Sequence, residues 1–310
     1  VRGDALHRLH HHAEVVDPYT LAIYTKQVDP VFYYNLAYVF MISQCQLEKD
    51  KNNYDEFAKH PSGTGPYMFS AAVPRQRLEF VKNPNYWDKA RVPKHDRLVL
   101  YPMPEATSRV AALMSGEVNF IENPPPDSLD RLKSAGMNVI LRPYPHNWDY
   151  LLNFKKKPFT DLKVRQAANY AINRDEIVAM LGGTAMAGYA TLTPSQPNYG
   201  KPFLYKFDLD KAKALLKEAG CVPCAITIGV STSGSGQMQP VPMNELIKSQ
   251  LEAAGFKVTL KTMDWNTLLS IFFKGTEADP TLDAVNVSLP TQDPVTGLVY
   301  SYTDLGRSPS

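Results

Sequence analysis

The residues able to do chemistry are few and scattered. His7, His10, His11 and His12 crowd together, and closely spaced imidazoles can share a metal ion. A loose solvent-exposed cluster is the plainer reading, and no metal site is assigned. Cys221-Val-Pro-Cys224 has redox-motif spacing, but a reactive pair belongs at a helix N-terminus, where the dipole lowers the first thiol's pKa. Here the pair follows the helical run "LDKAKALLKEAG" and precedes the strand-like "AITIGV", so a local disulfide or two buried thiols is expected. The glycine loops "GTGPY" and "STSGSGQ" lack both the Lys-Ser/Thr ending of a phosphate cradle and dinucleotide spacing. No Gly-x-Ser-x-Gly elbow or His-Glu-x-x-His occurs. Acid pairs such as Asp161 with Asp175 or Asp279 with Asp283 fall at helix starts and strand edges, where capping accounts for them. What remains is a set of aromatic and polar residues at strand ends: Tyr144, His146, Trp148 and Tyr150 in one run, Trp265 after a strand, and "NVSLPTQDP" after another. Such residues suit a cleft that grips a ligand by apolar area and a few placed hydrogen bonds. For Trp148 ordinary core packing is an equal expectation. A rival reading makes His146 and Asp149 the general-base pair of an enzyme, and another makes the protein a sensor or chaperone-like binder.

Composition narrows the class. The chain has 310 residues, 44% hydrophobic and 21% charged, enough for two ordinary globular domains. Thirty-three Lys plus Arg stand against 31 Asp plus Glu, which argues against a nucleic-acid binder. Three cysteines, an odd number, exclude a disulfide-rich scaffold. No apolar run approaches the ~18–20 residues that cross a bilayer, and "VRGDALHRLHHHAEVV" lacks the apolar core of a secretory signal.

The elements that must position these residues follow from periodicity. Leu21, Ile23 and Thr25 alternate as a strand after an Asp-Pro turn, and "VFYYNLAYVFMI" is read as a helix. "YMFSAA" and "RLEFVKN" form a hairpin around Pro74, and "HDRLVLYPM" is a further strand. A helix from Glu105 stops at Gly116, then come strand "VNFIE", a proline-initiated helix ended by Gly136, and strand "NVILRPY". After the strand "NWDYLLNF", Thr160 is placed to cap a helix over 161–171, and Asn173 with Glu176 resembles a capping box for 174–181. Residues 182–207 are irregular; loops of that length usually cover a site or wrap a core. Asp208 caps a helix ended by Gly220, and strand 225–230, helix 241–254 and strand 256–263 spell a βαβ unit with parallel strands.

Five ordered motifs then resemble one family. "HPSGTGPYMFS" with "LEFVKNPNYWDKA", "EATSRVAALMSGEVNFIE", "LLNFKKKPFTDLKVRQAANYAINRDEIV", "FDLDKAKALLKEAG" and "LEAAGFKVTLKTMDWNTLL" are similar to the extracytoplasmic solute-binding proteins of the peptide, nickel and opine ABC importers. The resemblance runs from about Ala13 onward. It implies an α/β, two-lobed, dipeptide-binding-like fold, here incomplete at both ends: residues 1–143 as part of the first lobe and 144–310 as most of the second. It also implies a monomeric periplasmic, or membrane-anchored extracellular, component that captures a peptide or other small polar solute and passes it to an ABC permease, with no cofactor and no covalent chemistry.

Carried over residue by residue, the family's hinge strand falls on "YPHNWDYLLNF", which points Tyr144, His146, Asp149 and Leu151 toward the solute, with Asn153 in the frame. Trp265 matches an aromatic beside the ligand, and Asn286, Ser288, Gln292 and Asp293 fall in and after the last strand. Peptide binders of the family place an Arg where Asn286 stands and an acidic residue where Gln292 or Asp293 must serve. That departure weakens the case for peptides unless Asp149 or Asp293 pairs with the amino terminus, because a buried ammonium without a carboxylate costs several kcal/mol.

Overall fold

The computed structural model describes residues 10–26, 28–29, 32–36, 39–142, 146–190, 192–196, 199–234, 236–275 and 278–290. The chain groups into two compact units, Val1–Pro104 and Glu105–Ser310.

In the first unit, β1 (His10–Asp17) and β2 (Thr20–Thr25) form an antiparallel hairpin. Its turn is closed by the Asp17 carboxylate, which accepts the Tyr19 N–H at 2.7 Å. The helix expected over 31–42 is short: α1 covers Phe32–Leu36, and Val39–Ile42 run without helix, each substantially exposed. Two further short helices, α2 (Gln44–Lys49) and α3 (Tyr54–Phe57), are capped by Ser43 and Asn53. The expected hairpin forms as β3 (Tyr67–Val73) and β4 (Arg77–Lys82), and β5 (Arg97–Leu100) adds a third antiparallel strand. Pro74 leads into the turn, where Arg75 takes a positive φ of 62°. The Asn83 side chain closes the other end by donating to the Gly65 carbonyl at 3.0 Å.

In the second unit, α4 (Ala106–Ser115) ends at Gly116, whose φ of 78° is the left-handed stop expected of glycine. A 3₁₀ turn at Pro126–Ser128 leads into α5 (Leu129–Ser134). The strands expected at "VNFIE" and "NVILRPY" do not form among the described residues, and Phe120, Ile140 and Leu141 are more than half exposed. The physical reason is that a strand exists only with a pairing partner, and no described strand pairs with either one; local pattern alone could not reveal this.

The rest builds one open sheet from β6 (His146–Leu152), β7 (Cys224–Ser231), β8 (Phe256–Met263) and β9 (Ala284–Pro290), in the order β6-β9-β7-β8. β7 runs parallel to β8 and β9, whereas β6 is antiparallel to β9. The expected βαβ unit is therefore present, with α9 (Pro240–Ala254) as its crossover. On one face pack α6 (Leu162–Ala171), α8 (Leu209–Glu218) and α9, whose Val164, Ala167, Ala171, Ala212, Leu216, Ile247 and Leu251 meet Ile226, Ile228 and Val230 of β7. Each such large aliphatic contributes roughly 1.5–3 kcal/mol on burial. The opposite face carries Val285, Val287, Leu282 and Met263 under Leu268 and Trp265 of α10 (Trp265–Lys274).

Capping differs in detail from expectation. Asp161, not Thr160, caps α6, accepting the Lys163 N–H at 2.8 Å. Asn173 caps α7 (Arg174–Met180), but Glu176 does not reach back. Gln250 of α9 accepts the Asn173 N–H at 3.0 Å and donates to Glu176 at 2.7 Å, so a helix distant in sequence completes the box. The irregular 182–207 segment is held by Arg174, which donates to the carbonyls of Gly188 at 2.8 Å and Tyr205 at 3.2 Å. Cys221 and Cys224 form a disulfide, as one of the two expected states, joining the end of α8 to the start of β7.

Candidate functional site

The C-terminal ends of parallel strands are where open α/β sheets bind ligands. At that end of β7 the chain leaves through "STSGSGQ", the glycine loop that carries no phosphate signature. Two of its glycines press on rings singled out from sequence. A Cβ on Gly234, at φ 140°, would lie 2.6 Å from the Trp265 ring, and one on Gly236, at φ 72°, would lie 2.1 Å from His146 Nδ1. Only glycine allows this backbone path. The loop thus lies against both Trp265, placed at the first turn of α10 by its Asp264 cap, and His146, placed at the start of β6.

His146 shares a hydrogen bond of 3.0 Å between Nδ1 and Ser288 Oγ. Burial lowers its pKa, which keeps the ring neutral at pH 7 and makes it a hydrogen-bonding group instead of a charge. Gln237, fully buried at the end of the glycine loop, donates to the Ser288 carbonyl at 3.2 Å, while its Oε1 has no hydrogen-bond partner among the described residues. Beneath them runs a buried amide relay. Tyr150 OH donates to Asn244 Oδ1 at 2.5 Å, Asn244 Nδ2 donates to Asn286 Oδ1 at 3.0 Å, and Asn286 Nδ2 donates to the Asp149 carbonyl at 3.1 Å. Asn286 is therefore engaged at both ends of its amide within the frame. Desolvation pushes the Tyr150 phenol far up, so it stays a donor at every ordinary pH. Trp148 packs in the core, edge-to-face with Tyr150 at 5.7 Å.

Strand alternation separates His146 from Asp149. In register, Trp148 pairs Ser288 and Tyr150 pairs Asn286, on the face toward α9; Asp149 pairs Val287, and Leu151 pairs Val285, on the face toward α10. The two side chains that a general-base pair would need leave opposite sides of the sheet. Asp149 carries no hydrogen bond or ion pair among the described residues, and burial alone raises its carboxyl to about 6. Tyr144, Gln292 and Asp293 lie outside the described residues.

Four residues escaped sequence reasoning: Gln237, Asn244, Gly234 and Gly236. Asn244 could have been found, because it shares the buried stripe of α9 with Met243, Ile247 and Leu251, where a polar residue needs a polar partner. Among the described residues no cluster of His, Cys, Asp and Glu could hold a metal, and no helix is long and apolar enough to cross a membrane. An apolar hollow bordered by Ala72, Leu78, Leu100 and Tyr101 lies on β3–β5, in the other compact unit, and carries none of these polar groups.

Comparison with known proteins closes the question of kinship. The family model for bacterial extracellular solute-binding proteins, family 5 Middle, matches residues 7–307. The glutathione-binding protein GsiB of Salmonella paratyphi A is 32% identical over 259 residues, 81% of this chain and 49% of that protein. Heme-binding protein A of Haemophilus influenzae is 31% identical over 268 residues, 81% of this chain and 47% of that protein. This chain therefore spans about half the length of these relatives. In fold it matches the periplasmic binding protein DppA of Helicobacter pylori, solved with the peptide STSA, with a TM-score of 0.78 at 24% identity over 97% of this chain and 58% of that one. It also matches NikZ of Campylobacter jejuni, solved with Ni(L-His), with a TM-score of 0.77 at 21% identity over 96% of this chain and 60% of that one. The fold is thus that of the two-lobed periplasmic binding proteins, covered in part, and with nearly its whole length matched by the family model the chain belongs to the bacterial extracellular solute-binding proteins of family 5.

Proposed function

We propose that the protein is the substrate-binding component of an ABC importer, capturing a peptide or other small polar solute outside the cytoplasm and delivering it unchanged to a membrane permease. The observation that carries this reading is the glycine loop after β7, whose backbone lies against Trp265 and His146 at the C-terminal ends of parallel strands. An apolar ring and a neutral imidazole beside this loop suit a cleft that holds a solute by area and directed hydrogen bonds. The separation of His146 from Asp149 speaks against base catalysis. The Cys221–Cys224 disulfide fits an oxidising compartment, which supports a periplasmic location. The relatives named for glutathione and heme, and the structures holding a peptide or a nickel–histidine complex, support a broad class of solute. The boundary between lobes at 143/144, a monomeric state, and roles for Tyr144, Gln292 and Asp293 belong to this same proposal.

Native mass spectrometry of the full-length protein tests it. One small solute per protein, recovered chemically intact after release, is expected; a solute recovered as a cleaved or altered product would overturn the reading. The Gly236→Ala variant should lower calorimetric affinity for the recovered solute at least tenfold, because the new methyl displaces the His146 ring from Ser288.

A further inference from the structure

The Cys221–Cys224 disulfide lies apart from the candidate solute site, at the opposite end of β7 from the glycine loop. Its two halves differ in access. Cys224 is fully buried in the cluster that holds Leu216, Ala254 and Phe256, and its N–H donates to the Gly255 carbonyl at 3.0 Å. Cys221 is only partly buried, on the turn after α8, and the next two residues, Val222 and Pro223, are exposed. An external thiolate must reach the sulfur it attacks, so in the folded protein it meets Cys221 and not Cys224.

The surroundings suit a substrate of thiol–disulfide exchange better than a catalyst of it. The Cys221 N–H closes on the Leu216 carbonyl at 3.0 Å, at the C-terminal end of α8, where the helix dipole disfavours a negative charge. A thiolate expelled at Cys224 would be a charge among apolar side chains. Opening is therefore slow, and an attacker with one thiol gains nothing lasting. The Cα atoms of the pair are 4.7 Å apart, so Cys224 is held where it expels a single-thiol adduct from Cys221. A second thiol on the attacker escapes this reversal. We propose that the Cys221–Cys224 bond is exchanged through Cys221 alone, with a dithiol oxidoreductase as the partner and the exposed Val222-Pro223 turn as the surface it meets. One partner thiolate bonds to Cys221 Sγ as the S–S bond breaks, and Cys224 leaves with the electron pair and takes up a proton. The partner's second thiolate then attacks its own sulfur in the mixed disulfide, and Cys221 leaves and is protonated in turn. Two electrons and two protons pass to Cys221 and Cys224, and the partner's dithiol becomes a disulfide. Run backwards, the same steps install the bond.

The test uses the full chain carrying Cys45→Ser, which removes the exposed free thiol and keeps the disulfide. The folded protein is mixed with a reduced Cys-x-x-Cys oxidoreductase and, separately, with the same oxidoreductase whose second cysteine is replaced by serine. Each reaction is quenched in acid and alkylated in denaturant, and the modified cysteines are mapped by peptide mass spectrometry. At least tenfold more opened disulfide is expected with the two-cysteine form, and every trapped mixed disulfide is expected on Cys221. Adducts on Cys224, equal opening by the two forms, or no opening of the folded protein by either one overturns the proposal. In urea both cysteines should take adducts, because the asymmetry comes from burial; one-sidedness that persists in urea overturns it as well.

Discussion

At the scale of single residues, Asp149 gives the sharpest consequence. Burial raises its carboxyl to about 6, against an unfolded value near 3.9, so the folded state binds the proton more tightly than the unfolded one. A group raised in this way contributes fully below pH ~4, and its contribution is lost as pH climbs through ~6. Replacing it with the neutral, isosteric Asn removes the dependence. Denaturant unfolding of the solute-free protein should therefore find Asp149→Asn equal to the parent near pH 4 and more stable by roughly 2–3 kcal/mol at pH 7.5; a flat difference across that range would show that the carboxylate is already compensated. Desolvation is the cause of the rise, with no charged neighbour contributing to it. His146, shifted down by the same physics, contributes a neutral ring at pH 7. The type and position of both residues are legible in the sequence, and so is their separation onto two faces, because an odd offset along a strand reverses the side.

At the scale of elements, the sheet is tied to α9 by amides. Asn244 is bonded to Tyr150 of β6, Asn286 of β9 and the Pro240 carbonyl, all in the interior. Removing it strands the Tyr150 hydroxyl and the Asn286 carbonyl without partners. Each buried unsatisfied group costs about 1–3 kcal/mol, so Asn244→Ala should lower stability by about 2–4 kcal/mol in urea titration with an unchanged slope; a loss under 0.5 kcal/mol would mean the relay is not formed. The capping of α7 by Gln250 teaches the same lesson in reverse. Asn173 and Glu176 announce a helix start from sequence, yet the reciprocal bond comes from 77 residues away, a distance that local pattern does not span.

At the scale of the whole molecule, the disulfide and the glycine loop bracket β7. Cys224 opens the strand and the loop follows Ser231 at its close, a run of eight residues, or about 26 Å. Replacing both cysteines with serine should cost at most about 2 kcal/mol, because the loop closed is short, and should leave solute affinity unchanged; a tenfold loss of affinity would tie the disulfide to the site. Periodicity and stop signals alone determined the helices with capped starts and glycine ends and the β7–α9–β8 unit, since these depend on neighbours within a few residues, while the family was legible through the resemblance of five motifs. Tertiary structure alone decided which apolar segments became strands, for "VNFIE" and "NVILRPY" find no strand partner among the described residues, whereas β6 and β9 pair although Leu152 and Ala284 are 132 positions apart (284 − 152). It alone decided, too, that Gly234 and Gly236 lie against Trp265 and His146. Such contacts arise from the register of strands far apart in the chain, and register is set by the packing of whole faces, which no local stretch of residues contains.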